Sequence, residues 1–176
     1  MISYRDSGSE KGRKILLGVI LVLAGLAAGL LISRVFVTPF IVAGDSMSPG
    51  FKPGQRLIFF RYAEPKFGDI VLMDDPASSG KVFIKRVIGV SGDTLEMKNQ
   101  VIYRNSNKLR MNWPTLRLDS RNFPMGFSHR DNMPLVKLSR NEYFVINDNI
   151  DDSYDGRTFG AIKHDAIRGT LIYIFP

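Results

Sequence analysis

The chain has 176 residues, a formal net charge of +7 and no cysteine. The missing cysteine excludes disulfides, thiolate metal sites and a cysteine nucleophile. The basic excess is scattered, apart from Arg5, Lys11, Arg13 and Lys14 ahead of an apolar run, so no basic face for nucleic acid is indicated.

That run, Ile15 to Ile32, is 18 residues without a charge. As a helix it would extend about 27 Å, close to the hydrocarbon thickness of a bilayer. It is longer than the ~7–15 apolar residues of a cleavable signal peptide. The following Ser33-Arg34-Val35-Phe36-Val37-Thr38-Pro39 holds no small-x-small exit site. Residues 15–33 therefore read as an uncleaved transmembrane anchor. Basic residues before the span outnumber the single Arg34 just after it. The positive-inside rule then places residues 1–14 in the cytoplasm and residues 35–176 outside. Gly25-x-x-x-Gly29 matches a helix-packing pattern, which does not define an oligomeric state.

Downstream, short β-branched and aromatic runs alternate with Gly, Pro, Asn and Asp clusters. Strands are expected over 35–43, 56–61, 69–73, 81–90, 94–97, 101–103, 142–146 and 169–175. Long helical periodicity is missing after residue 35. The expected class is mostly β: one N-terminal transmembrane helix, then a coiled β-sheet or barrel-like domain over 35–176. Residues 104–141, with Trp113-Pro114, Phe123-Pro124 and Met133-Pro134, read as an irregular excursion from it. Trp113 has two readings, a lipid-interface contact or a loop tryptophan packed on its own domain.

Two residues carry the chemistry: Ser46 in Gly44-Asp45-Ser46-Met47-Ser48-Pro49, and Lys85 in Phe83-Ile84-Lys85-Arg86-Val87. A serine hydroxyl is a poor nucleophile until a base takes its proton. The two histidines, His129 and His164, lie in polar segments without evident partners, so a Ser-His-Asp triad is poorly supported. A lysine can serve instead if burial removes its charge near neutral pH. Strand alternation puts Lys85 on the face of Phe83 and Val87, opposite Ile84 and Arg86. The pattern alone leaves open an edge lysine whose head reaches water.

Four blocks in order, behind the apolar segment, resemble the bacterial type I signal peptidases, membrane-bound Ser-Lys proteases. They are Gly44 to Pro49, Gly68-Asp-Ile-Val71, Lys85 to Asp93, and Asn147-Asp-Asn-Ile-Asp-Asp-Ser-Tyr-Asp-Gly-Arg-Thr-Phe-Gly160. The resemblance implies Ser46 as nucleophile and Lys85 as general base. It implies that Ser153 orients the amine, and that Asp155 and Arg157 form an ion pair bracing the last block. Asp148 and Asn149 would fix that loop, and Met47 would pack beside the nucleophile. An extended signal peptide from an exported preprotein would pair with the strand edges at Phe40 to Gly44 and Val82 to Ile84. Phe40, Val42, Ala43, Met47, Phe83 and Ile84 are candidate lining residues for shallow pockets that accept an Ala-x-Ala site. The implied location is the plasma (inner) membrane, with lipid and signal peptides as partners and no cofactor or metal.

Several positions depart from the family pattern. Gly44 stands where many members have a serine that helps bind the oxyanion. Gly50-Phe51 replaces the usual Thr-Leu, a change expected to reshape the small pocket. Asn147 replaces a glycine, and Gly156 a serine. Rival readings are a pilin-maturation protease of the same clan, an organelle inner-membrane peptidase, a self-cleaving repressor, and an inactive membrane-tethered β module.

Overall fold

The computed structural model describes residues 7–77 and 80–175, so the first six residues of the expected cytoplasmic segment lie outside it. The chain divides into two compact units between Val37 and Thr38. The first unit is helix α1, Ser7–Phe36. Its apolar side chains, among them Ile15, Leu21 and Leu30, are exposed on all sides. A helix apolar all round calls for a nonaqueous surrounding, and Glu10–Phe36 is long and apolar enough to cross a membrane. Val35 and Phe36 belong to this helix, not to the expected strand. The helix ends shortly before Pro39, as the bias of a pre-proline residue away from helical backbone requires.

The second unit is β-rich. One sheet contains β1 (Val37–Ile41), β2 (Arg56–Phe60), β3 (Ile70–Asp74), β4 (Val82–Gly89), β9 (Glu142–Ile146), β10 (Ile162–Lys163) and β11 (Ile167–Ile174). Its strand order is β1-β2-β11-β3-β4-β9-β10. A second sheet contains β5 (Thr94–Lys98), β6 (Val101–Arg104), β7 (Asn107–Lys108) and β8 (Met133–Lys137), in the order β7-β6-β5-β8. Both sheets are open, so the domain is not a closed barrel. A four-residue helix, α2 (Gly156–Phe159), follows β9.

The excursion is more regular than expected, since β7 and β8 fall inside it. Pro134 sits within β8, an edge strand paired on one side to β5. An edge is where a sheet tolerates proline. Trp113 packs on its own domain, with the Arg86 guanidinium 4.6 Å from its ring and Phe67 at 5.7 Å.

The large sheet buries side chains on both faces. Val71, Met73, Val87, Tyr143, Val145 and Ile162 form one buried cluster. Val42, Met47, Leu57, Phe59, Leu72 and Ile84 belong to another. Strand β4 is therefore interior on both sides from Ile84 onward. A charged residue there must find partners or lose its charge.

Candidate active site

Lys85 lies in the middle of β4, opposite Val71 of β3. Alternation puts it on the face of Val71, Val87 and Val145, with the Phe83 ring 5.1 Å from its nitrogen. The residue is 2% exposed. Its Nζ donates to Asn147 Oδ1 at 2.6 Å and to the Tyr154 carbonyl at 2.8 Å. Both acceptors are uncharged. Burial holds the Lys85 amine below the ordinary lysine value of 10.5. Asp155, Asp152 and Asp75 pull it upward through space, and Arg157 pushes it down.

Ser46 is half-buried on the loop after β1. It lines a groove of about 480 Å³ with Phe40, Val42, Ala43, Phe83 and Ile84, five of the six expected lining residues. Asp45, Lys81, Val82 and Asp152 complete part of the wall. Met47 does not line it: the side chain is fully buried beneath the loop, with Val42, Leu57 and Phe59. Phe51 is buried in the same cluster, which takes it out of the groove wall.

Strand pairing leaves an opening at this groove. β4 pairs with β3 from Val82 onward, whereas its pairing with β9 begins only at Arg86. β1 is at the end of its sheet. Two strand edges thus flank Ser46, the arrangement an extended peptide needs to add itself as a strand. Among the described residues the Ser46 N–H has no acceptor, so it is available to a developing oxyanion.

The segment from Asn147 to Arg157 ties the two halves together. Asn149 N donates to the Ser46 carbonyl at 2.9 Å, while Asn147 holds Lys85. No hydrogen bond joins Ser46 to Lys85 among the described residues. Such contacts are often long without substrate. Asp155 accepts from Arg157 Nε and Nη2 at 2.9 and 2.7 Å, in a pair with side chains 0% and 1% exposed. Arg157 also donates to the carbonyls of Ile150 and Asp152. Asp155 caps α2 by accepting from Arg157 N, and it accepts from Asn147 N as well. The pair is a buried brace and not a surface turn contact.

On the opposite face of β4, Arg86 forms a two-pronged bond with Asp148, both contacts 2.7 Å, and donates to the Gly68 carbonyl. Burial pushes the Asp148 carboxyl up, and Arg86 opposes it. Gly156 has a packing reason: a Cβ there would sit 2.6 Å from the Val145 carbonyl and 2.8 Å from the Phe144 ring.

Ser153 is not on the amine. Its carbonyl accepts from Asp155 N and Thr158 Oγ1, and among the described residues its hydroxyl makes no bond to Lys85. The orienting contacts belong to Asn147 and the Tyr154 backbone. Of these the sequence signalled only Asn147, as a departure within the last block. His129 is exposed and His164 lies against Tyr143, both outside the groove lining. Among the described residues no cluster of three or more His, Asp or Glu is placed to hold a metal ion.

A family model described as "Signal peptidase, peptidase S26" matches residues 13–175. The chain belongs to the signal peptidase family. Signal peptidase I S of Bacillus subtilis (strain 168) is 33% identical over 181 residues, covering 99% of this chain and 92% of that protein. Signal peptidase I P of Bacillus subtilis subsp. natto is 31% identical over 177 residues, covering 97% and 90%. A crystal structure of a signal peptidase I from Enterococcus faecalis V583 aligns with a TM-score of 0.47 and 24% identity, over 62% of this chain and 98% of that one. The chain is thus a serine endopeptidase of a family that acts on the signal peptides of exported preproteins. Its apolar helix is consistent with membrane anchoring.

Proposed function

We propose that this chain is a Ser-Lys protease that removes signal peptides from exported preproteins after small residues. Ser46 is the nucleophile and Lys85 the general base. The observation that carries the reading is the environment of the Lys85 amine: 2% exposed, with two uncharged acceptors on its nitrogen. Desolvation favours the neutral form, and only that form can take a proton.

In the acylation step the Ser46 Oγ proton moves to Lys85 Nζ as Oγ bonds the scissile carbonyl carbon. The carbonyl electron pair moves onto oxygen, where the Ser46 N–H donates. The pair then returns, the C–N bond breaks, and Lys85 gives its proton to the leaving amine. Water next loses a proton to Lys85 and attacks the acyl carbon. Collapse of that adduct expels Ser46 Oγ, which Lys85 reprotonates. The peptide lies between the edges of β1 and β4, held through its backbone. Helix α1 spans the membrane with its N-terminus in the cytoplasm and the β domain outside, which keeps the groove near the emerging signal peptide.

The test is cleavage of a preprotein bearing an Ala-x-Ala site by the wild-type chain and by Ser46→Ala and Lys85→Ala. Both substitutions are expected to abolish processing. No cleavage by the wild-type chain would point to the inactive-module reading, and cleavage that survives either substitution would overturn the assignment of Ser46 and Lys85.

A further inference from the structure

Lys85 is aimed by a side chain to which no role had been given. Asn147 is fully buried, and its polar side-chain atoms are both engaged. Its Oδ1 accepts from Lys85 Nζ at 2.6 Å, and its Nδ2 donates to the Asp152 carbonyl at 2.9 Å. The Asp152 carbonyl can only accept, so the NH₂ end must face it and the oxygen must face the lysine. The Asn147 N–H is anchored separately on Asp155 Oδ2. The amide is thus locked at both ends of its planar group before any substrate arrives.

A neutral amine has two hydrogens and one lone pair. The Tyr154 carbonyl takes one hydrogen and Asn147 Oδ1 the other. With both claimed, the lone pair is confined to the single vertex left on the nitrogen. The geometry points to Asn147 as the positioning residue of the base: it fixes the direction of the Lys85 lone pair without adding a charge beside it. This rests on Lys85 being the base. It assigns to Asn147 the aiming task that the family resemblance implied for Ser153.

The choice of amide over acid follows from the surroundings. The charged groups acting on the amine are Asp155, Asp152 and Asp75, which favour its ammonium form, and Arg157, which opposes it. Asp155 is already neutralised by Arg157, and Asp75 accepts from the Tyr154 hydroxyl. A carboxylate at position 147, in direct contact with the nitrogen, would hold the proton in place. An asparagine accepts from either protonation state, though more strongly from the ammonium.

The experiment measures kcat and KM on an Ala-x-Ala preprotein from about pH 5 to about pH 10. It uses the full chain in detergent micelles: wild type, Asn147→Ala, Asn147→Asp, Asn147→Ser and Lys85→Ala. Asn147→Ala is expected to lower plateau kcat by about 10- to 100-fold through lost alignment, with KM within about twofold. Its acidic limb should shift to lower pH by roughly half a unit, because an acceptor for the ammonium is gone. Asn147→Asp should shift the limb the opposite way by about one unit or more, with activity recovering at high pH. Near-UV circular dichroism confirms folding. Asn147→Ser, whose hydroxyl is too short to reach the amine, repeats the Ala test if Ala does not fold.

Opposed limb shifts support the assignment. A loss of kcat with no limb movement, shifts in one direction for both variants, or unchanged kcat overturns it. If Lys85→Ala still cleaves, or the wild type shows no acidic limb, the base assignment itself has failed. If the wild type shows its limb and the Asn147 variants leave it in place, only the role of Asn147 has failed.

Discussion

Lys85 and Arg86 are consecutive on β4, both buried, and the fold gives them opposite partners. Arg86 faces a carboxylate: Asp148 grips it with two 2.7 Å bonds, and Trp113 covers its plane. Lys85 faces two uncharged carbonyl oxygens and an aromatic wall. A guanidinium keeps its proton in any protein environment, so Arg86 can serve only as a fixed cation. An amine releases its proton when burial is not offset by a direct counter-ion. One strand thus carries a structural cation and, one residue earlier, a group suited to proton transfer. The pleat separates them, and each face supplies a different set of partners.

This contrast can be broken from either side. The largest effect is expected from Lys85→Met, which removes the proposed base: kcat should fall by about 10⁴-fold or more, measured on a preprotein. Next is Arg86→Met, which strands the Asp148 carboxylate in the interior. Urea unfolding should show a loss of about 3–5 kcal/mol, the range for breaking a buried pair from one side. Gly156→Ala should be milder, about 1–3 kcal/mol, as the added methyl meets the Val145 carbonyl and the Phe144 ring. It weakens the seat of the Asp155–Arg157 brace without touching either cation.

The smallest effect is a slope. The folded pKa of Lys85 lies below its unfolded value of 10.5. Between those two values the unfolded chain binds more protons than the folded one. Stability should therefore rise with pH across that window, by up to about 1.4 kcal/mol per unit, and be indifferent to this group below it. Lys85→Met should flatten that slope, whereas a substitution at Arg86 should leave it in place.

Much of this was legible in the sequence. The mostly β class, the long apolar helix and most strands of the large sheet follow from local pattern, and the ion pair of Asp155 with Arg157 from the resemblance of the last block. The alternation around Lys85 placed it correctly with Phe83 and Val87. The acceptors of Lys85 were not legible, because they come from residues 62 and 69 positions away along the chain. One of them is a backbone carbonyl, which no residue type announces. Strand β8 was hidden by Pro134, whose disruptive signal holds for central strands and not for the edge it occupies. Met47, next to Ser46 in the chain, turns inward and packs with Val42, Leu57 and Phe59.

The most direct measurement is titration of the Lys85 side chain itself, by NMR of ¹³C-labelled lysine in the Ser46→Ala chain, where no turnover interferes. The signal missing from a Ser46→Ala/Lys85→Met chain identifies it. A midpoint below 10.5 and below that of the surface lysines is the expected result. A Lys85 ammonium that stays charged up to the range of the surface lysines would contradict the account.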